Sequence, residues 1–566
     1  MKKLLWIIAA CLFVQTATAQ VAPKWMEKAR KAVFSIITYN QENQIKSSGN
    51  GFYIDMNGTA LSDYTLFEGA HRATVVTAEG KQYPVTSISG ANSVYDVVKF
   101  NAPVDKKPTA LTLASQPAKP GDVVYLLPYS TQKSTNVQTG KVIAVDSIGN
   151  QSFYYTLEMK TNDKIVSCPI MNAAGEVLGL IQKSSSDKDG ESYAIGAGYG
   201  AALNISALSL NDRALGSINI KKALPETEEQ ATIYLFMAST VMNPTEYAAL
   251  LDDFISLYPS NYEGYIRRAA LYMDSDDAAQ YPLADKDFEK AESVAAEKSE
   301  VLFNISKTMH AYILNLNGKE GYEKWNLERA LDYVRKAINV KPEPIYIQQE
   351  GDILFTMQNY PEAFASYEKV NQSNIASAAT FYSAAKTKQL IEGTDLNEVI
   401  ALMDSAVVRF TKPYTSEAAP YFYERAVVKA LAGKNREAVA DYNAFYDALQ
   451  GSVTATFYYQ RQQSEIQCKM NQQALNDINK AVDMEPENIL FLIEKGSMHI
   501  RFNQIAEAVE VLNKAISIDA TSAAAYRMLG YCQVKQNKNK EACANFQKAK
   551  ELGDEVVDQL IEKYCK

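Results

Sequence analysis

Histidine is almost missing: three occur in 566 residues, at His71, His310 and His499, far apart along the chain. Multi-histidine metal sites are thereby disfavoured, and a mechanism that needs a histidine base has only these three to draw on. Basic charge is short as well. Against 66 Asp and Glu stand 57 Lys and Arg, a net of −9 that repels a phosphate backbone or an anionic membrane surface. Nucleic acid is therefore not an expected partner. No apolar run approaches the ~18 residues that a transmembrane helix needs. Of the six cysteines none forms a C-x-x-C pair, so the fold does not depend on a disulfide framework. Cys532–Cys543 or Cys543–Cys565 bridges are permitted by spacing, but the expectation for Cys168, Cys468, Cys532, Cys543 and Cys565 is buried or idle thiols. Neither a metal nor a cofactor is implied.

What is present is ordinary globular material, 47% hydrophobic and 22% charged, in a chain too long for one core at ~150 residues per domain. The N-terminus runs Met1-Lys2-Lys3, an apolar stretch from Leu4 to Val14, then Ala17-Thr18-Ala19. This is the form of a secretory signal, so residues 1–19 are expected to be removed after Ala19 and the protein to reach a bacterial periplasm or the exterior. Ile8-Ala9-Ala10-Cys11 offers the alternative of a lipoprotein anchored at Cys11.

Two periodicities divide the rest. Over 25–210 apolar residues alternate in short runs such as Ala73–Val76, Val94–Phe100, Val123–Leu127 and Phe153–Met159, parted by Gly, Asn, Asp and Pro. Period two with frequent turns predicts an all-β sandwich or barrel. Residues 211–229, including Pro225 and several charges, are the expected linker. From 230 to 566 the spacing of three and four predicts helix throughout. Within it Ala474, Ala508 and Ala542 step by 34, as do Ala481, Ala515 and Ala549, with Ile478, Leu512 and Phe546 between them. Gly496 and Gly530 keep the same interval. The pattern resembles the tetratricopeptide repeat, where small residues let two helices approach and a bulky one fills the gap to the next hairpin. Looser copies at Ala284, Phe288 and Ala291, at Ala330 and Ala337, at Gly351, Ala363 and Tyr367, and at Ala438 and Tyr442 bring the expectation to eight or nine hairpins in a superhelical solenoid.

The β half carries Ser48-Gly49-Asn50-Gly51-Phe52, then Ala60-Leu61-Ser62-Asp63-Tyr64-Thr65-Leu66-Phe67, Tyr95-Asp96-Val97-Val98, and Cys168-Pro169-Ile170-Met171-Asn172-Ala173-Ala174-Gly175-Glu176-Val177-Leu178-Gly179-Leu180. In that order these resemble the trypsin-like peptidase domain of the periplasmic high-temperature-requirement (Deg) proteases, a chymotrypsin-like double β-barrel, over about 45–205. The resemblance places the triad at Thr65 for the histidine, Asp96 for the aspartate and Val166 for the serine. Threonine is no base near neutral pH and valine has no nucleophilic atom. Ser167 and Cys168 replace the two glycines that follow the nucleophile, which puts the oxyanion hole in doubt as well. A pseudo-protease is the expectation. The alternative is a peptidase using Ser167 or Cys168 as a shifted nucleophile with His71 as base, six residues beyond Thr65.

Other clusters read as structure. Asp187-Lys188-Asp189-Gly190-Glu191 has part of a calcium loop but falls where a hairpin turn is expected, and Asp274-Ser275-Asp276-Asp277 reads as an inter-helix loop. His310 and His499 fall inside repeat helices and read as polar packing. The repeat resemblance directs Tyr459, Gln463, Gln467, Ile493, Ser497, Arg501, Arg527, Tyr531 and Lys535 into a groove. Of these, Tyr459, Gln463, Arg501, Arg527, Tyr531 and Lys535 are the candidate contacts for an extended or helical peptide with acidic character. The competing account is an ordinary solvated helix face. The expected function is an exported, non-enzymatic scaffold that binds proteins through the repeats and through the β domain; a periplasmic holdase-like chaperone is a further alternative.

Overall fold

A computed structural model of the chain describes residues 24–132, 137–149, 152–182 and 190–565. The expected signal segment with Cys11, and Asp187-Lys188-Asp189, lie outside the described residues. The first seven strands are β1 (Val33–Tyr39), β2 (Ile45–Tyr53), β3 (Thr59–Ser62), β4 (Arg72–Val76), β5 (Gln82–Pro84), β6 (Ser87–Asn92) and β7 (Val97–Asn101). They form an antiparallel half-barrel in the order β5-β4-β1-β2-β3-β7-β6. The next six, β8 (Val123–Leu126), β9 (Gln138–Ile148), β10 (Ser152–Glu158), β11 (Pro169–Met171), β12 (Val177–Ile181) and β13 (Glu191–Gly196), close into a barrel, β10-β13-β12-β11-β8-β9. Alternation along β1, whose Val33, Phe34, Ile36 and Thr38 are buried, is what the sequence pattern demands of a sheet with one face inward. β12 is buried throughout, and Gly179 lets it lie close on β13: a Cβ there would clash with the Ile195 carbonyl oxygen.

Residues 211–229, expected as a linker, are instead laid against the half-barrel. The Gly69 N–H donates to the Ser217 carbonyl, Asn219 N–H to Ala70, Ile88 N–H to Lys221 and Ala223 N–H to Ile88. Ala214, Leu215, Ile218 and Ile220 are buried in the same core as Phe34, Phe67 and Phe100. Most of the charges that suggested a linker face outward, Lys222 instead donating to the Ile218 and Ile220 carbonyls, while four apolar side chains between them face in. The helices Glu228–Ala238 and Pro244–Leu257 also join this core, through Tyr234, Leu235, Leu251 and Phe254. The compact unit that holds the β strands accordingly runs on through Ser275 and takes in Pro282–Val294, past the boundary at 230 set by periodicity.

The second compact unit is a run of antiparallel helix pairs. Among the described residues these are Lys298–Asn315 with Leu327–Val340, Pro344–Thr356 with Tyr360–Asn371, Ala378–Gln389 with Leu396–Val407, Ala419–Leu431 with Asn435–Ala448, Ala455–Gln467 with Asn471–Met484, Ile489–Arg501 with Ile505–Ile518, and Ala523–Lys535 with Asn539–Glu551. The alanines at the 34-residue interval have no exposed surface. A Cβ on Gly530 would stand 2.6 Å from the Phe546 ring, so the glycine is where the bulky residue of the second helix seats. A short helix, Asp558–Tyr564, follows the last pair and is tied to it by a disulfide between Cys543 and Cys565. The expectation of idle thiols there is corrected: the turn at 552–557 brings the closing helix back alongside Asn539–Glu551, which sets the two Cα atoms 5.6 Å apart. Cys168, Cys468 and Cys532 are free.

A polar device recurs between neighbouring helices. Arg425 forks onto Asp441, 16 residues on, and reaches back to Asp404 of the preceding pair. Arg461 does the same with Asp477 and Asn443. In the first unit Arg268 joins Asp287 and Asp252. One pair reverses the sign: Glu350 accepts from Arg335 behind it and from Ser366 ahead of it. Beside Arg461 sits Glu465, buried, with one carboxylate oxygen unpartnered among the described residues. Burial, with the Asp477 charge adding and Arg461 opposing, pushes its carboxyl up to about 8. The folded value lies above the unfolded one, so this group favours the fold fully below about pH 4.5 and no longer above about pH 8. Urea midpoints should fall across that window, and Glu465→Gln should flatten the fall and gain stability at pH 8; parallel pH curves for the two proteins would refute this.

Candidate functional site

β3 ends at Ser62, and Asp63 caps the single helical turn Tyr64–Phe67 by accepting the Leu66 N–H. That turn presents Thr65 to solvent, and both its N–H and its hydroxyl donate to Oδ1 of Asp96, at 2.7 and 2.9 Å. Asp96 is held for this at φ +45, just ahead of β7. Thr65 and Asp96, singled out from the sequence, are thus in direct contact.

The loop ahead of β11 carries Val166. Asn50 of β2 donates its amide to the carbonyls of Lys164 and Val166, at 3.0 and 2.9 Å. The Lys164 N–H is taken up by Asn162 Oδ1 at 2.9 Å. Ser167 sits at φ +62, 1% exposed; its N–H donates to the Ile181 carbonyl and its hydroxyl to Asp63 Oδ1 at 2.6 Å. Asp63 therefore holds both the Thr65 turn and the Val166 loop. Burial raises its carboxyl above the usual range; the Ser167 hydroxyl counters this and the Asp96 charge adds to it. Cys168 has no exposed surface, and burial pushes its thiol up to about 12. His71 is exposed, and its N–H donates to the Tyr39 carbonyl.

Asn50 and Asp63 carry this geometry and were missed from sequence, because the contacts they make lie 114, 116 and 104 residues away. The local signal was limited to Asp63 standing in a cap position before a short helix. Ser167→Ala should lower stability by about 1–3 kcal/mol, since the enclosed carboxylate loses its shortest donor. Urea unfolding measures it, and a change below ~0.5 kcal/mol would show the hydroxyl idle.

Among the repeat candidates, Arg501, Arg527 and Tyr531 line one cavity of about 430 Å³, together with Ser497, Met528 and Leu560. Arg527 is not a free cation there: its Nε donates to Asp554 at 2.7 Å. Tyr459, Gln463 and Lys535 are not part of that lining. The Tyr459 ring packs on Phe491 at 5.4 Å, Gln463 donates to Gln462, and the Lys535 ammonium lies 5.5 Å above the Tyr531 ring. His310 bridges Gln349 and Thr356 inside the array, and His499 bonds Gln504. Asp277 caps a short turn by accepting from Ala279. Among the described residues no group of three His, Cys, Asp or Glu converges as metal ligands would, and no helix is long and apolar enough to cross a membrane.

A family model of the trypsin-like peptidase domain matches residues 49–180, which covers Thr65, Asp96 and Val166. A tetratricopeptide repeat model matches 491–522, one of the pairs at the 34-residue interval. Two curated proteins share part of the sequence. Sperm-associated antigen 1 of Rattus norvegicus is 32% identical over 128 residues, 22% of this chain and 14% of that protein. The Mus musculus protein of the same name is 30% identical over 128 residues, with the same shares. The chain thus spans about one seventh of the length of the curated relatives it matches.

Proposed function

We propose that the chain is an exported protein-interaction scaffold, in which a trypsin-like domain without catalytic power is joined to a peptide-binding repeat array. The observation that carries the reading is Thr65: its hydroxyl and amide occupy the Asp96 oxygen that would orient a histidine in a working triad. Valine at 166 offers no nucleophile. In such a peptidase the amides of the nucleophile and of the residue two before it cradle the oxyanion, and here the earlier one, Lys164, is spent on Asn162. The substitute nucleophiles fare no better. Ser167 is enclosed and donates to a carboxylate that no imidazole backs, while Cys168 is a buried thiol whose raised pKa keeps it protonated at neutral pH. The repeats supply the binding function, with exposed Arg501 and Lys535 beside Tyr531 as the cationic part of the surface.

The test has two arms. Incubation with a fluorophosphonate probe and with casein should give neither labelling nor cleavage; either result, abolished by Ser167→Ala, would overturn the inactive reading. Arg501→Glu with Lys535→Glu, both exposed and therefore safe for the fold, should remove proteins that co-purify with the wild type. An unchanged set of partners would sink the groove.

A further inference from the structure

A cavity of about 320 Å³ opens on the half-barrel, and its lining shares no residue with the Thr65–Asp96 site. Three separate segments bring lysines to it: Lys31 from the turn before β1, Lys81 from the β4–β5 hairpin, and Lys106 with Lys107 from the loop after β7. All four are exposed, and none has an ion-pair partner among the described residues. Two carboxylates share the lining, Glu79 and Asp105, the latter accepting the Tyr83 hydroxyl at 3.0 Å, so four ammonium groups stand against two carboxylates. In a chain with a net charge of −9, such a convergence does not follow from composition.

A second observation points the same way. Thr77 lines the cavity, is 8% exposed, and its Oγ1 has no hydrogen-bond partner among the described residues. Its backbone is fully used, the N–H on Lys81 and the carbonyl on the Tyr129 hydroxyl, while its side-chain hydroxyl is unanswered. A buried hydroxyl without a partner is disfavoured unless a ligand or water completes it.

We propose that this cavity binds the phosphate group of a small phosphate monoester. Lysine ammoniums are point charges on flexible stems, suited to a compact tetrahedral dianion; the guanidinium fork that would match a planar carboxylate is absent from the lining. Thr77, whose hydroxyl is enclosed just behind the lining, supplies a hydroxyl contact once its side chain rotates toward the bound oxygen. The Tyr83 ring, Val104 and Pro108 form a wall for the organic part, and the volume is at the lower end of small-molecule sites.

Calorimetric titration of the full chain with glucose 6-phosphate, inorganic phosphate and glucose tests this. Glucose 6-phosphate should bind saturably and glucose should not, with affinity falling as NaCl is raised. Lys81→Gln with Lys107→Gln, and separately Thr77→Val, should each weaken binding by at least about tenfold at unchanged melting temperature. Inorganic phosphate binding as tightly as the ester would support the site with free phosphate as its source, and weaker binding would support the ester. No saturable binding up to about 10 mM, or equal affinity in all variants, would overturn the proposal.

Discussion

Asp441→Ala is expected to lower stability by about 3–5 kcal/mol, more than any other single charge removal in the repeat array. The carboxylate faces two cations at once: Arg425, whose fork it accepts, and Lys429, whose ammonium lies 2.9 Å away. All three side chains are nearly enclosed, so alanine leaves two charges in a low-dielectric interior with only Asp404 and Glu437 at the rim to answer them. Taking charge out of water is what makes this expensive; the attraction lost is the smaller part. The control follows from the same physics. Arg425→Met, Lys429→Met and Asp441→Leu together should return close to wild-type stability, because no ion is then stranded. Urea midpoints of the two variants settle it, and a loss below ~1 kcal/mol for Asp441→Ala would mean that water reaches the cations.

Phe546→Ala should also lower stability by about 3–5 kcal/mol, through burial lost and a cavity left beside Gly530. The ring has no exposed surface and packs with Ala542, Ala549 and Val557. Its seat is defined by the glycine, since a Cβ there would stand 2.6 and 2.7 Å from two ring carbons and 3.1 Å from the Ala542 carbonyl. Gly530→Ala should therefore be damaging alone and less so with Phe546→Leu, which withdraws the ring edge. The double-mutant cycle reads that coupling, and strict additivity would show that the two residues do not share a seat.

Much of the fold could be read from the chain because its signals are local. Period-two runs mark β4 and β7 to within a few residues, and the 34-residue interval finds the buried alanines because each close helix approach admits only a methyl group. The Thr65–Asp96 contact was also in reach, since two motifs in the right order imply their meeting in space. What stayed hidden depends on distant partners. Nothing around Ser167 announces a carboxylate 104 residues earlier, and nothing around Asn50 announces the carbonyls it holds. The half-barrel's outer edge was misread for a similar reason: residues 211–229 are charged enough to suggest a tether, and the buried Leu215, Ile218 and Ile220 are too few to show a period. The Cys543–Cys565 bridge belongs to this class, decided by a turn whose direction no spacing rule gives. Such a bond persists in oxidising compartments, which supports the export proposed above.

The arginine and glutamate bridges between successive helix pairs also bias the order of those pairs. Arg425 requires an acid behind it and finds Asp404; Glu350 requires a base and finds Arg335. Exchange the two hairpins and Arg335 would face Arg425 while Asp404 faced Glu350, like charges meeting with one partner of each pair half-exposed and the other nearly enclosed. Hairpins that share small residues where their helices approach could otherwise stack in more than one order, and a growing chain could pair a late repeat with an early one. The one reversed sign, at Glu350, thus sets its junction apart from those that Arg268, Arg425 and Arg461 make, and it disfavours that exchange of repeats during assembly.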